Sequence, residues 1–93
     1  MDSGRRTIGE LVVAFVTPGD GRVAFVAGRK VGKAVQRNRA RRLMRAAWND
    51  VSTDVRMGSD LVFVARKAIL GARSQQVAAE IADLLRRSKG VSA

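Results

Sequence analysis

From Lys33 to Val51 the chain contains neither Pro nor Gly and is rich in Arg, Ala, Leu and Met. This stretch is predicted to be one long helix, and the rest of a short chain must be arranged around it. At about 100° per residue, Ala40, Leu43, Met44, Ala47, Trp48 and Val51 form a single apolar stripe. Asn38, Arg39, Arg41, Arg42 and Arg45 fall on the opposite side, with Arg37 at the border. A chain of 93 residues supports only one core, since at this size roughly 60 to 65% of the unfolded surface can be buried. A single domain over residues 1–93 is therefore expected.

The flanking segments read as strands and a second helix. Residues 10–17 are β-branched and aromatic, and Pro18-Gly19-Asp20-Gly21 after them is strong turn chemistry. Residues 22–27 then read as a return strand, so the two are expected to pair as a β-hairpin. Alternation places Leu11, Val13 and Phe15 with Val23, Phe25 and Ala27 on the face bearing the larger side chains, which marks it as the core face. Val12, Ala14, Val16, Ala24 and Val26 are left on a smoother face, either covered by another element or open as a groove. Residues 1–9 read as a short arm or weak first strand, and Gly28 to Gly32 as a flexible basic junction. After a polar linker over 52–59, the apolar run 60–66 is suited to the interior of a sheet. Ser74 is a plausible N-cap for a final helix to about Arg87, with Val77, Ile81, Leu84 and Leu85 on its buried stripe. Trp48, Phe15, Phe25 and Phe63 are expected in the core rather than as stacking platforms. The result is an α+β fold with a mixed sheet of about three to four strands, a central basic helix and a C-terminal helix.

Charge narrows the function. Eighteen Lys and Arg against eight Asp and Glu leave a formal +10 on a chain that is 46% hydrophobic, a folded cationic protein whose default partner is a polyanion. There is no Cys and no His, which removes disulfides, thiolate metal sites and the commonest proton-transfer side chain. No membrane span or secretory signal is legible, and a cytoplasmic location is expected. Between Arg29 and Arg45 lie eight basic residues and no acid: Arg29, Lys30, Lys33, Arg37, Arg39, Arg41, Arg42 and Arg45. Like charges three or four residues apart on a helix repel by a few tenths of a kcal/mol, so an external anion must offset them, and Arg holds phosphate bidentately. Asn38 offers a neutral donor and acceptor suited to a sugar or base edge. Arg66 and Lys67 either extend this surface or simply end their strand. Asp50, Asp54 and Asp60 are scattered and read as turn, capping and solubility residues rather than as metal ligands.

The run Lys30-Val31-Gly32-Lys33-Ala34-Val35-Gln36-Arg37-Asn38-Arg39-Ala40-Arg41-Arg42-Leu43-Met44-Arg45 closely resembles the RNR motif of the bacterial ribonuclease P protein subunit family. The resemblance extends over roughly residues 10 to 88. It implies a small two-layer sandwich like the second domain of ribosomal protein S5, with a left-handed crossover through the RNR helix, the opposite of the usual rule. It also implies the function. The family's catalyst is an RNA that uses bound Mg²⁺ to remove the 5′ leader of precursor tRNA, while the protein binds that RNA and the leader and itself holds no metal and no catalytic residue. The motif would place Lys30, Lys33, Arg37, Asn38, Arg39, Arg41, Arg42 and Arg45 on RNA. Val12, Ala14, Val16, Ala24 and Val26 would face the leader, with no ring among them on which a base could stack. By the same resemblance the basic, aromatic N-terminal helix of the family would be missing from this sequence, and the apolar strand surface so exposed would favour self-association. A structured-RNA binder such as a small ribosomal protein, and a metal-dependent nuclease, are the rival readings.

Overall fold

The computed structural model describes residues 5–51 and 59–88. Strands β1 (Arg5–Ile8), β2 (Val12–Pro18) and β3 (Val23–Val26) precede helix α1 (Ala34–Val51). Strand β4 (Ser59–Ala65), a 3₁₀ turn at Lys67–Gly71 and helix α2 (Ser74–Ser88) follow. The four strands form one sheet in the order β1-β2-β4-β3. Both helices lie on one side of it, α1 against β3 and β4, and α2 against β1, β2 and α1.

The expected hairpin does not form. β4 takes the slot between the two strands, antiparallel to β2 (Phe15 opposite Val62) and parallel to β3 (Phe25 opposite Phe63). Its unbroken run of β-branched and aromatic residues suits a strand paired along both edges, although only Leu61, Phe63 and Ala65, on the helix side, are buried. The Pro18–Arg22 turn therefore arches over the head of β4, across two strand spacings of about 4.8 Å each. Asp60 holds the arch from below: one carboxylate oxygen accepts the Asp20 and Arg22 backbone N–H groups at 3.0 Å each. Gly21 has a φ of 93°, and a side chain on Gly19 would collide with the Asp60 carboxylate. Of the three acids read as turn and solubility residues, Asp60 caps this turn and Asp50 is exposed. Asp54 and the linker residues 52–58 lie outside the described residues.

The Arg22 N–H above all holds the Asp60 carboxyl below the usual carboxylate range; partial desolvation opposes it, and the Asp20 N–H and the Arg22 charge add to it. A carboxyl with a depressed folded-state pKa stabilises the fold above its unfolded pKa and loses that contribution as pH falls through the folded one. Asp60→Asn is accordingly expected to lower the unfolding midpoint at neutral pH, where the ionised carboxylate contributes, and to flatten its decline below about pH 4, where the two proteins converge. An acid limb identical to that of the parent protein would show that Asp60 does not carry this dependence.

The core lies on the face of β2 opposite to the one that side-chain size suggests. Val12, Ala14 and Val16 are buried beneath the helices, together with Leu61, Phe63 and Ala65 of β4. Phe15, expected in the core, is 36% exposed on the far face. Small residues on the inner face let two helices approach the sheet closely, and the bulk is supplied by Phe63, Met44, Ile69, Ile81 and Leu84, all fully buried. On β3 the reading holds, since Phe25 is turned inward and stacks on Phe63 with centroids 6.0 Å apart. Trp48 tilts against the same Phe63 ring at 5.5 Å. The stripes read for the two helices are the buried ones: Ala40, Met44 and Ala47 on α1, and Val77, Ile81, Leu84 and Leu85 on α2.

Both helices start alike, and not on a Ser cap. The Lys33 and Arg73 backbone N–H groups each donate to a Gln three residues on, Gln36 and Gln76, at 2.7 Å, which is the return half of a capping box. Ser74 is thus the first helical residue and Arg73 takes the cap position. At the other end of the sheet from the Asp60 arch, Glu80 of α2 accepts the Glu10, Leu11 and Val12 N–H groups at 2.8 to 3.0 Å, and Arg66 donates to the Gly9 carbonyl at 2.8 Å. These contacts fix the β1–β2 turn.

Candidate nucleic-acid interface

The cations of α1 form two rows. Arg37, Arg41 and Arg45, one turn apart, flank the core stripe. Arg37 is half-buried, and its Nε is buried without a partner among the described residues. Arg41 donates to Oδ1 of Asn38. Arg45 lies over the Phe25 ring with its guanidinium carbon 5.7 Å from the centroid, within cation–π range. The second row, Asn38, Arg39 and Arg42, faces solvent. Among the described residues, the ion pairs join Arg22 to Asp20 and Arg86 and Arg87 to Asp83. None involves a cation of the 29–45 stretch.

The junction before α1 adds to this field. Val31 is buried and its N–H bonds to the Gly28 carbonyl at 3.1 Å, so the segment expected to be flexible is pinned at its centre. Arg29, Lys30 and Lys33 project from it, exposed. Gly32 has a φ of 148°, and a Cβ there would strike the Gln36 amide that caps the helix. The first turn of α1 contains no acid, so the positive end of the helix dipole and the lysines reinforce one another. Arg66 and Lys67 follow β4 at this same end of the sheet and are exposed. The eleven residues read as an RNA surface are thus exposed or half-buried at this end of the sheet and along α1, with Arg66 also engaged by the Gly9 carbonyl at the β1–β2 turn. Those side chains are cations and one amide and do not suit Mg²⁺, a hard cation that demands oxygen donors. Among the described residues, no three His, Cys, Asp or Glu side chains come together.

The residues read as facing a leader divide. Ala24 and Val26 do lie on the helix-free face of the sheet and are exposed, whereas Val12, Ala14 and Val16 are core. Register puts Val13 and Phe15 of β2 and Val62 and Val64 of β4 on that face in their place, with Arg6 opposite Phe15 and Ile8 opposite Val13 on β1. A ring is therefore present on the open face, contrary to the sequence reading. Arg6 was missed because its position depends on β1 pairing.

The family model described as Ribonuclease P matches residues 1–89 of the chain. The chain belongs to the ribonuclease P protein family. The Ribonuclease P protein component of Nitratiruptor sp. is 40% identical over 78 residues, covering 84% of this chain and 71% of that protein. That of Chloroflexus aggregans is 40% identical over 90 residues, covering 92% and 67%. Among solved structures, the RNase P protein of Thermotoga maritima superposes with a TM-score of 0.78 at 26% identity, over 92% of this chain and 84% of that one. A Staphylococcus aureus RNase P protein superposes at 0.79 and 21% identity, over 97% and 78%. The resemblance read from the RNR segment is thus shown for the whole family match. The mixed four-stranded sheet with two helices is the fold of these ribonuclease P proteins. No helix among the described residues is long and apolar enough to cross a membrane.

Proposed function

We propose that this ribonuclease P family member is the protein subunit of a ribonucleoprotein in which RNA is the catalyst, and that α1 with the Arg29–Lys33 junction is its docking surface for that RNA. The observation that carries the reading is the one-signed double row on α1, left without acidic partners among the described residues. Phosphates would offset the repulsion and release condensed counterions on binding. The Mg²⁺ that polarises the scissile phosphodiester is held, in this reading, by the RNA and its substrate. What the chain contributes is positive potential and position: it lowers repulsion between a catalytic RNA and an anionic precursor tRNA, so that less metal is needed to hold them together. On the open face the 5′ leader would run past Phe15, a ring on which a base can stack, with Arg6 beside it for a phosphate.

Adding the protein to precursor tRNA and a bacterial ribonuclease P RNA at low millimolar Mg²⁺ is expected to restore leader removal that the RNA alone cannot sustain. Cleavage by the protein without RNA, or no change in the Mg²⁺ requirement, would overturn the reading.

A further inference from the structure

Val35 is 80% exposed, on the outward face of the first turn of α1. It lies three residues before Asn38, four before Arg39 and seven before Arg42, so all four share one stripe. A β-branched side chain there costs helix propensity relative to Ala and buries nothing within the chain. If phosphate were the sole ligand of this face, a further Lys or Arg would serve it better. The neighbouring Asn38 is also particular: its Oδ1 is taken up by Arg41, while its Nδ2 has no acceptor among the described residues and is left as a donor. Apolar surface, an amide donor and two guanidinium groups within two helical turns match the parts of one nucleotide. Its base has an apolar face and an acceptor-bearing edge, and its phosphates are one backbone step away.

We propose that Val35 and Asn38 form a contact site for a single unstacked nucleobase, with the base face on Val35 and its edge on the Asn38 amide, clamped by Arg39 and Arg42 on the flanking phosphates. The stiff χ1 of Val makes it a pre-ordered platform that loses little entropy on binding, and unpaired bases are what RNA-binding proteins read most readily. The inference rests on the docking surface proposed above and adds to it a contact that is not electrostatic.

That difference provides the test. Val35→Ala should weaken binding to a bacterial ribonuclease P RNA by about five-fold, from the apolar area it no longer covers. The slope of log affinity against log salt should be unchanged, and the unfolding midpoint equal or higher, since Ala is the better helix former. Arg39→Ala should instead lower the slope by roughly 0.7 to 0.9. A fully paired RNA duplex of similar length should bind parent and Val35→Ala protein equally. Unaltered affinity for ribonuclease P RNA overturns the site. A reduced slope in Val35→Ala overturns it too, because Val35 would then act only by arranging the cations. Equal loss on the duplex assigns the contact to ribose and overturns the base. If Arg39→Ala changes neither affinity nor slope, the docking surface itself is misplaced, a failure distinct from these.

Discussion

Phe63→Ala is expected to cost about 3 to 5 kcal/mol, the range for truncating a fully buried ring. Phe63 is the middle of a three-ring stack, between Phe25 and Trp48, on the central strand and with no exposure. Alanine there would leave a cavity walled by two aromatic side chains, one on β3 and one on α1, that cannot collapse together without moving the helix. Total stability for a domain is about 5 to 15 kcal/mol, and each kcal/mol shifts the melting midpoint of a chain this size by about 4 to 8 °C. A drop of well over 10 °C should therefore appear in thermal unfolding, with a matching fall in the urea midpoint. Phe15→Ala, the same change on the open face, should cost less, about 1 to 2 kcal/mol, because the ring is partly solvated and its loss leaves no enclosed cavity. If the two losses were reversed, the sheet would be facing the other way, and the leader path proposed over Phe15 would go with it.

The second large effect concerns binding. Arg39 and Arg42 both point to solvent on α1, three residues apart, and neither is paired with an acid among the described residues. Replacing both with Ala should lower the slope of log affinity against log salt by roughly 1.4 to 1.8 for ribonuclease P RNA, two phosphate contacts' worth. At near-physiological salt, affinity should fall on the order of ten- to a hundred-fold, taking about 0.7 to 1.4 kcal/mol for each exposed guanidinium–phosphate contact. Folding stability should hold or rise slightly, because a like-charged pair is removed and Ala favours the helix. Filter binding across a salt series together with a melting curve checks both signs. An unchanged slope would move the RNA to another surface.

The candidate interface was legible because its logic is local. Residues 29–45 carry their charge in one continuous segment, and helical periodicity alone separates the side that packs from the side that faces outward. The same wheel places Val35, a β-branched residue, on the outward face beside Asn38, Arg39 and Arg42. Phe25 beneath Arg45 was out of reach, because nothing short of the packed sheet sets a β3 side chain against the fourth turn of α1.

The amino-acid order by itself determined the elements: the bounds of α1 and α2, the stripes they bury, the unpaired cations and the apolar character of β4. Those follow from propensity, periodicity and charge, which act over a few residues. Only the tertiary structure decided which side of β2 is inside, since Val12 to Val16 are apolar on both faces and alternation cannot label one of them. It also decided that β4 separates β2 from β3, and that Asp60 and Glu80 tie down turns 38 to 70 residues away. These outcomes depend on two helices sharing one face of the sheet, a competition for buried area in which the winner is set by the packing of the whole chain and by no single segment.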